Sequence, residues 1–179
     1  MKKRKILAIG LLLVMLLQCI IGCSDAARFK ATLYSNAEEW MDKAFLNENP
    51  VKGAFYRNPE YTEEKRYEGV SEWIRVEGSP SSRTFIITTQ EEFASYFPSA
   101  ELEIDFEKEM VILHIFTDCV LGNRGFDIEE MELVDGVLTV RVKRESNHSG
   151  ILDSVQAYPR CFLLKMKKAE IAKVVFEGN

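Results

Sequence analysis

The chain has 179 residues, with 23 basic and 28 acidic side chains and a formal charge of −5. Its first 22 residues hold four of the basic and none of the acidic ones, leaving 19 basic against 28 acidic, a net −9. That balance excludes nucleic acid as a partner, which demands a basic patch, and an anionic bilayer repels it.

Lys2-Lys3-Arg4-Lys5 form a compact positive segment, followed by an apolar run from Ile6 to Gly22 broken only by Gln18. A positive start, an apolar centre and a small residue at the end are the parts of a secretory signal. Ile20-Ile21-Gly22-Cys23 then resembles the lipobox of bacterial lipoproteins. The resemblance implies cleavage after Gly22 and lipid on the Cys23 thiol, whereas Cys19 follows Gln18 and lacks the small residue the cut requires. Two acyl chains hold a protein durably where one is marginal. The expected organisation is a cleaved signal over 1–22, a lipidated cysteine with a short tether over 23–28, and one domain over 29–179. Its place would be the extracytoplasmic face of the cell membrane. The alternatives are an uncleaved anchor, since the run is just short of a span, and ordinary secretion.

Phe29, Ala31 and Leu33 alternate with Lys30 and Thr32, a short strand pattern. Ser35-Asn36-Ala37-Glu38 reads as a capping box, with Trp40, Met41, Ala44 and Phe45 on one helical face and Asn49-Pro50 as the stop. From Val51 to Gly78 the pattern is poor: Tyr56, Tyr61, Tyr67 and Trp73 are interleaved with charges. These aromatics offer contact area for a peptide or sugar, or they staple an irregular insertion to the sheet.

Arg83 to Thr88 predicts a buried strand. Thr89-Gln90-Glu91-Glu92 predicts a second capped helix, with Phe93 and Phe97 on one face and Pro98 as its stop. Glu109 to Phe116 is the most apolar stretch after the signal and predicts a central strand covered on both faces. Met131, Leu133, Leu138, Val140 and Val142 flank Asp135-Gly136, a hairpin whose turn residues tolerate positive φ. Arg160 to Met166 and Lys173 to Phe176 supply two more strands. About seven strands and two short helices predict an α+β domain, mainly antiparallel sheet with helices packed on it. A β-sandwich is the alternative.

The segment 83–179 resembles the C-terminal domain of PrcB, a subunit of a bacterial protease complex. The matching order is strand and short helix, Ile104-Asp105-Phe106-Glu107-Lys108-Glu109-Met110-Val111, the turn Gly125-Phe126-Asp127-Ile128, the Asp135-Gly136 hairpin, and Tyr158-Pro159 before the last long strand. The whole mature chain, after the signal, is also similar to a group of Gram-positive lipoproteins sharing segments such as Pro80 to Thr88. Neither resemblance carries catalytic residues. The first implies partner contacts at Arg124, Phe126, Tyr158 and Arg160, on a protease complex.

Chemistry-bearing side chains are sparse. Cys119 and Cys161 are a disulfide candidate outside the cytoplasm; the competing reading is two buried free thiols in flanking strands. His114 lies in the most apolar strand and reads as a satisfied core residue rather than a ligand. His148, in Ser146-Asn147-His148-Ser149-Gly150, can pair with Asp153 but finds no second ligand at zinc spacing. Glu129, Glu130 and Glu132 read as the wet side of a strand. No phosphate loop or dinucleotide fingerprint is present, so no cofactor is expected. Three roles remain: a non-enzymatic, membrane-tethered binding or accessory domain; a subunit or regulator of an extracytoplasmic protease; and an enzyme whose site the residues do not declare.

Overall fold

The computed structural model describes residues 30–119, 125–144 and 157–178. The signal, Cys23 and its tether, Arg124 and His148 lie outside them.

Four antiparallel strands make the central sheet, in the order β1 (Ala31–Tyr34), β8 (Tyr158–Lys167), β5 (Glu109–Asp118), β4 (Ser82–Ile87). β5 and β8 pair over ten residues, from Glu109↔Lys167 to Asp118↔Tyr158. Side chains alternate across a strand, so each of these two strands feeds two cores. Val111, Leu113 and Ile115 of β5 join Cys161 and Leu163 of β8 on one face. Met110, Ile112 and Phe116 join Phe162, Leu164 and Met166 on the other. The continuous apolar run of β5 is therefore that of a strand covered on both sides, as its residues predict.

The first face is covered by two short helices and the loops around them. α1 (Lys43–Glu48) contributes Phe45 and Leu46; α3 (Gln90–Tyr96) contributes Phe93, with Phe97 just beyond its end. The Thr89 side chain accepts the Glu92 N–H, the cap expected there. The first helix departs from expectation. Ala37–Glu39 is a single 3-10 turn, and α1 starts afresh with the Asp42 carboxylate accepting the Ala44 N–H. The expected capping box does not form, because Asn36 and Glu38 turn away to Arg160.

The opposite face is covered by a second sheet of β6 (Phe126–Val134), β7 (Val137–Arg144) and β9 (Lys173–Glu177). β6 and β7 form the expected hairpin, with Asp135 at φ 50° and Gly136 at φ 75°. A bulge between Ile128 and Glu130 puts Glu129 and Glu130 both in solvent, and Glu132 is exposed as well. β7 and β9 run parallel, the one exception to the antiparallel pattern among the described strands. The architecture is α+β and rich in antiparallel sheet, with helices on one face of the central sheet. Sheet packs on sheet on its other face.

Residues 51–78, poorly patterned in the sequence, hold a small antiparallel hairpin. β2 (Phe55–Arg57) pairs with β3 (Trp73–Arg75), and α2 (Glu63–Arg66) lies in the connection. Nine strands are thus described where about seven are expected. Strands of three residues are too short for alternation to reveal.

Candidate functional site

Of the residues expected to touch a partner, Phe126, Tyr158 and Arg160 are described, and they lie near one end of the central sheet, where β5 ends and β8 begins. Phe126 is 4% exposed, its ring 4.8 Å from Phe162 and 6.0 Å from Phe116. It is a core ring rather than a contact surface. The Arg144 guanidinium sits 5.3 Å over it and pairs with the buried Asp118 carboxylate at 2.9 Å. Tyr158 is half-buried and meets Trp73 edge-to-face at 5.7 Å.

Arg160 is also turned inward, which corrects its reading as a surface contact. Its Nε lies 2.9 Å from Glu38 Oε1, an ion pair by distance although not a well-directed hydrogen bond. Its other end donates to the Asn36 side chain. Glu38 Oε2 accepts the Cys161 N–H at 3.0 Å. Burial raises the Glu38 carboxyl pKa above its ordinary value, and the attraction of Arg160 does not fully offset this.

Cys119 and Cys161 are free thiols, the first exposed and the second buried. The disulfide is excluded by register. Cys161 stands opposite Ile115, so Cys119 is four residues further along, roughly 13 Å at strand rise, beyond the ~7 Å limit for a bridge. The alternative of two free thiols holds, but only one of them is buried. Burial pushes the Cys161 thiol well up, so it stays protonated.

His114 points into the core between the sheets. Its ring stacks on Phe176 at 4.2 Å, and Nδ1 is 2.8 Å from the Thr84 hydroxyl. Burial lowers its pKa to about 4, so it is neutral at physiological pH. Among the described residues, no three His, Cys, Asp or Glu side chains gather as metal ligands. No described helix is long and apolar enough to cross a membrane.

The β2–β3 hairpin is the contact feature that the sequence indicated only as aromatics among charges. Its fold is fixed locally. Tyr56 Oη accepts the Val51 N–H at 2.9 Å, and Asn58 Nδ2 donates to the Ser71 carbonyl at 2.9 Å. Tyr56 is therefore buried, as a staple. Trp73 and Ile74 remain 37% and 42% exposed, and Tyr67 is more exposed still. Between the hairpin and α1 lies a groove of about 380 Å³, walled by Ala44, Pro50, Tyr56, Arg57, Ile74 and Val76. The bonds Val76 N–H to Ala54 O and Asn58 N–H to Glu72 O bracket the pairing. By alternation, the backbone of Ile74 faces β2 and that of Trp73 and Arg75 faces away. Ser71 Oγ satisfies both backbone polar groups of Trp73.

No family model, curated protein or solved structure matches this chain. The site must therefore be judged on its own geometry. The hairpin presents two exposed apolar side chains, Trp73 and Ile74, on opposite faces of β3, with the groove beside one of them.

The Glu38–Arg160 pair and the Asp118–Arg144 pair escaped the sequence reading because their partners are far apart in the chain. The hairpin had a weak signal in its aromatics.

Proposed function

We propose that the protein is a lipid-anchored extracytoplasmic binding or accessory domain, without catalytic activity of its own, that engages a protein partner through the β2–β3 hairpin. The observation that carries this reading is the exposure of Trp73 and Ile74 beside an apolar-walled groove. Exposed aromatic and aliphatic side chains around a concave surface suit an anchor residue of a partner. The anchor rests on Ile20-Ile21-Gly22-Cys23, and the domain's acidic balance supports a head held off the bilayer.

Two measurements test the two halves separately. Mass spectrometry of the membrane fraction is expected to find a chain starting at a diacylglyceryl-modified Cys23, and Cys23→Ala should release the protein from that fraction. An uncut or unmodified chain sinks the anchor. A photo-crosslinking residue at position 74, in intact cells, is expected to yield one discrete protein adduct that Trp73→Glu abolishes. A crosslinker on exposed Glu132, on the far sheet, should yield none. The same adducts from both positions, or none from 74, would defeat the hairpin as a docking surface.

The alternative, a subunit or regulator of an extracytoplasmic protease, rests on the PrcB resemblance. It needs contacts other than Phe126 and Arg160, which are committed to the interior. Unaltered protease assembly and activity after deletion of the gene would eliminate it.

A further inference from the structure

The second sheet has three described strands and packs on a sheet of four. Phe176 of β9 stacks on His114 of β5 at 4.2 Å, and the Thr84 hydroxyl of β4 meets the same histidine ring at 2.8 Å. β9 therefore lies over β5, and β4 projects beyond it. The face that β4 turns toward the second sheet carries Thr84, which is exposed, and Ile86, which is half-buried.

The outer edge of β9 runs beside this face. Among the described residues β9 pairs with β7 alone. The Lys173 N–H donates to the Gly136 carbonyl at 3.2 Å, so Lys173, Val175 and Glu177 turn their backbone toward β7. By alternation Val174 and Phe176 turn theirs outward. Sheet edges are usually blunted by charge, proline or a bulge. β6 has its bulge and Glu129, Glu130 and Glu132, whereas β9 has neither bulge nor proline. Where β9 begins, a hollow of about 350 Å³ opens between Thr88, Met110, Lys168, Ala169 and Glu170.

We propose that this step is a docking site for an extended segment of a partner protein, added antiparallel to β9 as a further strand of the second sheet, with apolar side chains turned onto β4 and an acidic one opposite Lys173. The backbone selects the strand. Two outward N–H and C=O sets, about 7 Å apart along β9, match an extended chain, whereas a helix has its backbone groups already bonded. Register selects the side chains. Residues opposite Phe176 and Val174 point toward β4, as those two do toward the core. The residue opposite Lys173 points to the outer face. Lys173 is exposed and no described carboxylate pairs with it, while Glu177 is already held by Arg141 at 3.2 Å. The next side chain turns inward again, toward the hollow. A second copy pairing through its own β9 would need its β5 where β4 already lies, so the occupant is a free-standing segment rather than another sheet edge.

The test measures fluorescence polarisation of a dye-labelled peptide, Ser-Val-Thr-Val-Asp-Leu-Ser, with the full chain in detergent micelles. Saturable binding is expected. N-methylation of either valine, whose amide faces β9, should weaken it about tenfold; N-methylation of the intervening threonine, whose amide faces away, should leave it within about twofold. Lysine in place of the aspartate should weaken binding about fivefold, and Lys173→Glu should reverse that preference. Trp73→Glu should change nothing, which separates this surface from the β2–β3 hairpin. Absence of saturable binding, equal loss from all three N-methylations, an unreversed charge preference, or a dimer of the chain that the peptide dissociates would each overturn the proposal.

Discussion

At the residue scale, the edge of β8 shows how single side chains replace a missing strand. β1 covers β8 only from Leu163 to Met166. Beyond it, Glu38 accepts the Cys161 N–H, and the Phe55 N–H reaches the Ala157 carbonyl. By alternation Pro159 occupies the outward position between them, where it withholds no donor from the β5 ladder. Glu38 therefore both completes a ladder and balances the partly buried Arg160. Glu38→Ala should cost about 2 kcal/mol, because it takes the carboxylate from the partly buried Arg160 guanidinium, which keeps only its bond to Asn36 among the described partners; Glu38→Gln keeps an acceptor for Cys161 and should cost less. Urea melts of the two variants check the order, and equal losses would mean that the charge is immaterial. His114 gives a prediction of opposite chemical sense. Its folded pKa of about 4 lies below the ordinary 6.5. An unfolded chain takes up the proton as pH falls through 6.5, while the folded one resists until about 4. Stability should fall across that window by roughly 3 kcal/mol. His114→Phe preserves the stacking on Phe176 and cannot titrate. Its urea midpoint should be the less acid-sensitive of the two between pH 6.5 and 4; parallel profiles would show that His114 does not stay neutral in the fold.

At the element scale, local sequence decided those pieces whose chemistry is local. The β6–β7 turn is the clearest case. Asp135 and Gly136 both hold positive φ, and the Gly136 carbonyl also receives the Ala172 and Lys173 N–H groups at the entry to β9. A methyl at Gly136 would meet Ala172 Cβ at 3.5 Å, an ordinary contact, so the cost of Gly136→Ala is backbone strain, about 1 kcal/mol. Gly136→Asn, which tolerates that region, should recover part of it in the same urea melt, and a loss as large as that of alanine would point to crowding instead. The Thr89 cap and the β5 run were legible for the same reason: their signals are contiguous. The first helix was misread because Asn36 and Glu38 had two uses available, a cap nearby or a buried arginine more than 120 residues away. The distant use won, since an unpaired buried charge costs more than a lost cap. The β2–β3 hairpin was missed because three-residue strands carry no period. The parallel β7–β9 pair was missed because strand direction follows from the crossover between sheets, which alternation does not encode. Of the candidate contact surface, only the aromatic composition was visible; that Tyr56 turns inward and Trp73 outward is set by the Val51 N–H bond and by register.

At the scale of the whole molecule, one sheet serves two cores, and this should govern how the domain unfolds. Ile112 and Leu113 are adjacent in β5 and both fully buried, yet Ile112 faces the second sheet and Leu113 faces the helices. The two cores share the β5–β8 ladder, so neither can lose its packing without loosening the strands that the other needs. Leu113→Ala and Ile112→Ala should each cost about 3 kcal/mol, the usual range for a buried aliphatic side chain cut to a methyl group. The physical claim lies in how those losses appear. Tryptophan fluorescence reports the helix side, where Trp40 packs on the first core, and far-UV circular dichroism is dominated by the strands. If the domain is one cooperative unit, both signals move through a single midpoint in each variant, and the midpoint shifts for both probes together. If the second sheet were a separately stable layer, Ile112→Ala would displace the dichroism transition and leave the fluorescence transition in place. The ten-residue pairing of β5 with β8 argues for the first outcome. A domain that opens all at once loses both cores together.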